Sequence, residues 1–305
     1  MFVRRLVAAG AALSAVSLLA GCGGSAGEDG DLRAVAAFYP HAWVTEQVAG
    51  DGWNVDNLTQ PGQEPHDLDL TIVQTAALEE AGLIVLEEGF QPAVDAAAEG
   101  SDSPVVDAAA VVELREAGHH DESEEEHADH DHGDLDPHFW LDPLLMADLG
   151  DAVADGLAEV DPDGATTYAD NAAALRTELE ALDREYSDGL AACERTTTVV
   201  SHDAFGYLAR YGLDLEPIAG LSPDAEPTAA DLGRLQSLIR SDGVTTVFAE
   251  RLVSPKMADT LADDVGVTSA VLDPIEGLSD ETADEDYLSL MRDNLTALRA
   301  ANGCS

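Results

Sequence analysis

Two rhythms of apolar and polar residues alternate along the chain. Short apolar runs at Ala34 to Phe38, Asn54 to Leu58, Leu83 to Leu86 and Val105 to Val106 predict strands. Between them, His41 to Ala49, Thr71 to Ala81 and Gln91 to Ala98 carry helical spacing, the first stopped by Gly50. The alternation returns after residue 196. Strands are expected at Thr197 to Ser201, Leu215 to Ile218, Val244 to Ala249 and Thr268 to Leu272. Helices are expected at Ala204 to Tyr211, Ala229 to Arg240, Pro255 to Asp263 and Asp284 to Ala300. Strands that alternate with helices imply parallel sheets covered on both faces, an α/β class.

One stretch between the two alternating halves differs. Tyr168, Ala172, Leu175, Leu179, Leu182, Tyr186 and Leu190 recur at spacings of three and four, a single apolar stripe on one helix. Asp161-Pro162-Asp163 is a start signal for it. A helix from Ala165 to Ala192 would span roughly 40 Å at about 1.5 Å per residue, enough to bridge two lobes as a strut. The expected organisation is an N-terminal lobe over 32–160, a linker helix over 161–193 and a C-terminal lobe over 194–305. Two open sheets facing each other make a cleft, and ligands of such sheets sit at the carboxyl ends of the strands.

Residues 118–134 break the pattern. The segment holds His119, His120, His127, His130 and His132 among carboxylates, with no apolar residue larger than Ala128. It cannot join a core and reads as a surface loop that gathers metal weakly. The first residues are different again. Arg4 and Arg5 precede an apolar run from Leu6 to Ala20, shorter than the roughly 20 residues a membrane-spanning helix needs. It ends in Leu19-Ala20-Gly21-Cys22, an order that reads as a secretory signal over 1–21. It resembles the lipobox of bacterial lipoproteins, which implies cleavage before Cys22, a lipid on its sulfur, and a tether over 22–31. Outside the membrane the two remaining cysteines, Cys193 and Cys304, are expected to pair.

Composition narrows the partners. Lys+Arg 14 against Asp+Glu 61 leaves a formal net charge of −47, so nucleic acid is excluded as a partner and cations are favoured. Of the histidines outside the acidic loop, three lie in strand-to-helix loops, where ligand groups concentrate. His66 sits in Pro61-Gly62-Gln63-Glu64-Pro65-His66, His138 in Asp136-Pro137-His138-Phe139-Trp140-Leu141-Asp142-Pro143, and His202 directly after the strand ending at Ser201. Asp273 follows a strand and precedes Pro274. Each lobe supplies two of these four groups. Three imidazole nitrogens and one oxygen suit a tetrahedral Zn²⁺.

These motifs, with Ser201-His202-Asp203-Ala204-Phe205-Gly206-Tyr207-Leu208, Ala225-Glu226-Pro227, and Asp273-Pro274 before Gly277, run in order over about residues 32–300. Together they resemble the zinc/manganese-binding solute-binding proteins of ABC transporters, the ZnuA/TroA-like cluster. The resemblance implies two α/β lobes bridged by a rigid helix, with metal held between them by His66, His138, His202 and Asp273. Manganese members carry a glutamate at the third position; His202 stands there here and favours zinc. The fourth ligand is either Asp273 or water. Trp140 and Phe139 read as packing around the site, Glu250 as a group behind the ligands or a helix cap, and Asp142 and Asp203 as caps or orienting groups. His41 reads as a second-sphere or surface residue rather than a ligand.

The expected function is capture of Zn²⁺ outside the cytoplasm by a lipid-anchored, non-enzymatic monomer that hands the ion to a membrane permease. The alternatives are a manganese-specific relative, a zinc hydrolase, or a surface adhesin or metal buffer. No His-Glu-x-x-His helix is present to support a hydrolase.

Overall fold

The computed structural model describes residues 32–117 and 135–305. The signal, Cys22, the tether and the histidine-rich segment with His119, His120, His127, His130 and His132 lie outside the described residues.

Two four-stranded parallel sheets organise the chain. The first uses β1 (Arg33–Ala36), β2 (Asn54–Asn57), β3 (Leu83–Leu86) and β4 (Val105–Asp107) in the order β2-β1-β3-β4. The second uses β5 (Thr197–Val200), β6 (Asp214–Pro217), β7 (Thr246–Ala249) and β8 (Thr268–Val271) in the order β6-β5-β7-β8. The two orders are the same. Helices α1 (Tyr39–Ala49), α2 (Ile72–Glu79), α3 (Pro92–Glu99) and α4 (Ala108–Val111) accompany the first sheet. The central strand β3 is buried throughout, which explains why Leu83-Ile84-Val85-Leu86 is a continuous apolar run rather than an alternating one.

Helix α5 (Pro143–Val160) begins on a Pro and on Asp142, whose side chain accepts from the Leu144 N–H as an N-cap. The bridging helix α6 runs Ala165–Leu190. All seven residues of its predicted stripe are buried. Its N-terminal end meets the first lobe, where Trp53 Nε1 donates to Tyr168 Oη at 2.8 Å and Asn171 Nδ2 donates to the Val48 carbonyl at 2.9 Å. Its C-terminal end meets α9 (Tyr287–Asn302), where Tyr186 Oη donates to the Met291 carbonyl at 2.6 Å. The disulfide Cys193–Cys304 then ties the end of α6 to the end of α9.

The main core runs from β1 and β3 through α1, α5 and α6 to α9. A smaller core lies between the second sheet and α7 (Ala229–Asp242) and α8 (Lys256–Val265). Tyr287 joins the lobes at the centre: its ring stacks on Trp43 at 4.6 Å and its hydroxyl donates to the Trp140 carbonyl at 2.5 Å. The sequence pattern predicts an ordinary helix over Ala204 to Tyr211; the chain forms a 3₁₀ helix over Phe205–Tyr211 instead. Within it Gly206 lies against Arg115, whose Nη1 would be 1.7 Å from a Cβ at that position.

Candidate metal centre

Four side chains converge at the carboxyl ends of the strands. They are His66, His138, His202 and Glu276, and one ligand atom from each lies within 4.8 Å of all the others. His66 comes from the loop after β2, His138 from the segment entering α5, His202 from the end of β5, and Glu276 from the loop after β8. All are buried, with exposures of 7% for His66, 0% for His138 and His202, and 1% for Glu276.

The distances fit a small ion. Glu276 Oε1 lies 3.4 Å from His66 Nε2, 3.5 Å from His138 Nε2 and 3.5 Å from His202 Nε2, and the last two nitrogens are 3.4 Å apart. A tetrahedron has edges about 1.6 times its centre-to-vertex length, so zinc bonds of about 2.0–2.1 Å demand edges near 3.3–3.4 Å. The three edges from Glu276 Oε1 and the one between His138 and His202 meet that demand, and His66 Nε2 stands within 4.8 Å of the other two nitrogens.

Groups behind the ligands aim them. Asp136 Oδ1 accepts from His138 Nδ1 at 2.8 Å and from the His138 N–H at 3.0 Å. Glu250 Oε1 accepts from His202 Nδ1 at 2.5 Å and from the Ser201 hydroxyl. With the Nδ1 protons fixed outward, both Nε2 atoms face the centre, where an ion can displace their protons, the arrangement by which carboxylates orient metal-binding imidazoles. Trp140 packs its ring 5.1 Å from that of His138, and its Nε1 donates to the Pro274 carbonyl at 2.7 Å. Phe90 packs against His66 at 4.7 Å. These rings wall the centre from water.

The charges respond to this burial. Burial disfavours the charged form of His202, but the charge of Glu250 and the hydrogen bonds to Glu250 and Glu276 outweigh it and push the imidazole up to about 10. Burial acts likewise on His138, and the hydrogen bonds to Asp136 and Glu276 carry it upward. His66 goes down, because burial there exceeds the help from Glu276. Burial would raise Glu276, yet its hydrogen bonds to the three histidines hold it well below the usual carboxylate range. Without an ion, protons on the imidazoles balance the buried carboxylate. Burial and the neighbouring Glu276 push Glu64 up to about 8.

The fourth group therefore differs from the expected one. Asp273 is not among the converging atoms. Its Oδ1 accepts from the Ile275 N–H at 2.8 Å and its Oδ2 pairs with Arg251 Nε at 3.1 Å. Its backbone is clasped by Asn294, which accepts from the Asp273 N–H at 2.9 Å and donates to the Asp273 carbonyl at 2.6 Å. Asp273 thus builds the turn that presents Glu276. In that turn Ile275 has φ 60, a left-handed conformation that a β-branched residue rarely adopts. Sequence reasoning passed over Glu276, three residues on in Asp273-Pro274-Ile275-Glu276-Gly277, because a strand-end Asp-Pro draws the eye to the aspartate. It also passed over Asp136, although an acid two residues before a candidate histidine is a usable signal. His41 is fully buried outside the cluster, its ring 4.4 Å from Phe38 and 6.1 Å from Phe139.

Residues 34–301 match the model of the family described as zinc-uptake complex component A, periplasmic. The zinc-binding lipoprotein AdcA of Streptococcus pneumoniae is 37% identical over 302 residues, covering 95% of this chain and 59% of that protein. The chain thus spans less than two thirds of that relative. The high-affinity zinc uptake system protein ZnuA of Bacillus subtilis is 36% identical over 302 residues, covering 92% of this chain and 93% of the relative. Among solved structures, the Zn(II)-bound ZnuA-like domain of Streptococcus pneumoniae AdcA aligns with a TM-score of 0.74 and 34% identity. That alignment covers 90% of this chain and 99% of that one. The laminin-binding protein Lmb of Streptococcus agalactiae, described as having adhesin and metal-transporting activity, aligns with a TM-score of 0.77 and 29% identity. It covers 88% and 99% of the two chains.

Proposed function

The chain belongs to the zinc-uptake complex component A family, and on that footing we propose that it binds Zn²⁺ outside the cytoplasm and delivers the ion to the membrane permease of an ABC importer. The observation that carries this reading is the buried convergence of His66, His138, His202 and Glu276, one donor atom of each within 4.8 Å of the others. Three imidazoles and one carboxylate give a borderline-soft donor set, whereas manganese favours oxygen-rich, six-coordinate sites. Four protein donors fill a tetrahedral shell. A zinc hydrolase instead keeps an open position for water, so we read the chain as a carrier and not an enzyme.

The acidic surface raises the cation concentration near the cleft. No helix among the described residues is long and apolar enough to cross a membrane. We read Cys22 as the point of lipid attachment, which would hold the domain close to its permease, and the chain as acting as a monomer. We read the segment of His119, His120, His127, His130 and His132 as a weak zinc collector.

The test is zinc titration of the metal-free protein against a competing chelator, beside His66→Ala, His138→Ala, His202→Ala and Glu276→Ala. Each variant is expected to weaken binding at least about a hundredfold, because a lost ligand costs more than a lost supporting group. Unchanged tight binding in all four would overturn the assignment.

A further inference from the structure

A closed tetrahedral shell poses a kinetic problem. With every position filled by protein, an ion exchanges fastest when a fifth donor stands within reach, since zinc passes readily through five-coordination. That donor has to lie on the side by which the ion reaches solvent. His138, His202 and Glu276 are 0–1% exposed, and His66 at 7% is the most open of the four. The path therefore runs past His66.

Glu64 stands on that path. Its Oε2 accepts from the His66 N–H at 3.0 Å, which fixes the carboxylate beside the imidazole. Its other oxygen, Oε1, lies 3.9 Å from His66 Nε2, is buried, and has no hydrogen-bond partner. The Glu64 side chain is 18% exposed, so it touches both solvent and the centre. An unpartnered buried oxygen is costly unless something repays it. The loop around it is pinned on both sides: the Gly62 N–H donates to the Leu278 carbonyl at 2.6 Å, and Gln91 Nε2 donates to the Pro65 carbonyl at 2.9 Å. A groove of about 670 Å³ lined by Pro61, Gly62, Glu250 and Arg251 lies nearby. The carboxylate it reaches, Glu250, is already engaged by Ser201 and His202. Glu64 Oε1 is a buried oxygen beside a ligand with no hydrogen-bond partner.

We propose that Glu64 is a transfer ligand: its Oε1 takes up an incoming Zn²⁺ before His66 closes the shell, and binds the departing ion as His66 lets go. The inference rests on the zinc-binding reading above. A transfer ligand speeds entry and release together and leaves the equilibrium nearly unchanged.

Glu64→Gln keeps an acceptor for the His66 N–H and removes the carboxyl group that can give up its proton to bind the ion. Asp67→Asn removes a carboxyl group from an exposed neighbouring position and controls for the general electrostatic field. Stopped-flow mixing with Zn²⁺ and then with excess chelator gives the entry and release rates, and chelator competition gives Kd. In Glu64→Gln both rates are expected to fall about tenfold, with Kd within about threefold of wild type, while Asp67→Asn keeps wild-type release. Unaltered rates in Glu64→Gln would overturn the proposal. So would equal slowing by Asp67→Asn, or a large rise in Kd carried by faster release, which would make Glu64 a resident ligand. Failure of the wild-type protein to bind Zn²⁺ would instead strike at the proposed function itself.

Discussion

His41 offers a stability experiment that reads the interior of the first lobe directly. It is fully buried, neither ring nitrogen has a hydrogen-bond partner, and burial alone pushes its imidazole down to about 3. An unfolded histidine takes up its proton near pH 6.5. The unfolded chain therefore binds this proton first, and the native state loses stability as pH falls below about 6.5, levelling off only below about 3. At pH 5 the unfolded form is almost fully protonated at this residue and the native form almost not at all, a loss of about 2 kcal/mol relative to pH 8. The full difference between about 3 and about 6.5 corresponds to roughly 5 kcal/mol. His41→Leu removes the titration and keeps an apolar side chain of similar size. Urea unfolding of the metal-free protein and the variant, at pH 8, 7, 6 and 5, isolates the effect, because the other histidines titrate alike in both. The wild type should lose about 2 kcal/mol more than the variant between pH 8 and pH 5. At pH 8 the two should differ little, since two unpartnered nitrogens leave as the aromatic contacts are lost. Parallel pH dependences would refute the reasoning and mean that water or a partner reaches the ring.

The remaining predictions concern the centre and the disulfide. Glu276→Ala should weaken zinc binding at least about a hundredfold, while Asp273→Ala, which only loosens the turn, should weaken it less; chelator competition ranks the two, and the reverse order would restore Asp273 as the ligand. Asp136→Asn should cost about 10–100-fold, because His138 loses the charged acceptor that sets its tautomer, and the same titration reads it. Zinc binding should release protons. His202 holds one below about 10 in the metal-free state, so at pH 7 an ion must displace it, and the apparent affinity should fall at least about tenfold per pH unit below neutrality. Proton release in weak buffer, with calorimetry across pH, checks this. Replacing Cys193 and Cys304 together by Ser opens a loop of sequence separation 111, which should lower stability by about 4 kcal/mol, read as a drop in the urea midpoint.

The parts of the fold that show in the sequence are those whose residues answer to one local rule. The stripe from Tyr168 to Leu190 follows helical spacing, and all seven residues are buried against the two lobes. The runs Leu83 to Leu86 and Thr197 to Val200 are apolar enough to read as buried parallel strands. Helix α5 shows only at its start, where Asp142-Pro143 caps it. The three histidines stand out because each follows a strand or opens a helix. Glu276 does not, because what brings it to the histidines is the conformation of a turn. Ile275 must adopt positive φ, and Asp273 and Trp140 must hold the backbone there, before that carboxylate faces the histidines. The bond from Trp140 comes from 134 residues away and leaves no periodic trace. The two acids behind the imidazoles, Asp136 and Glu250, divide the same way: one is a sequence neighbour of its histidine and the other stands 48 residues from it.

The left-handed isoleucine has a consequence for when free energy is spent. Holding a residue there costs on the order of 1–3 kcal/mol. The contacts that enforce it, from Asp273 and from the indole of Trp140, involve no ion. The cost is thus met once, as the polypeptide acquires its shape, and an arriving cation meets an oxygen that is already turned toward it. Binding then spends none of its free energy on bending the main chain at Ile275.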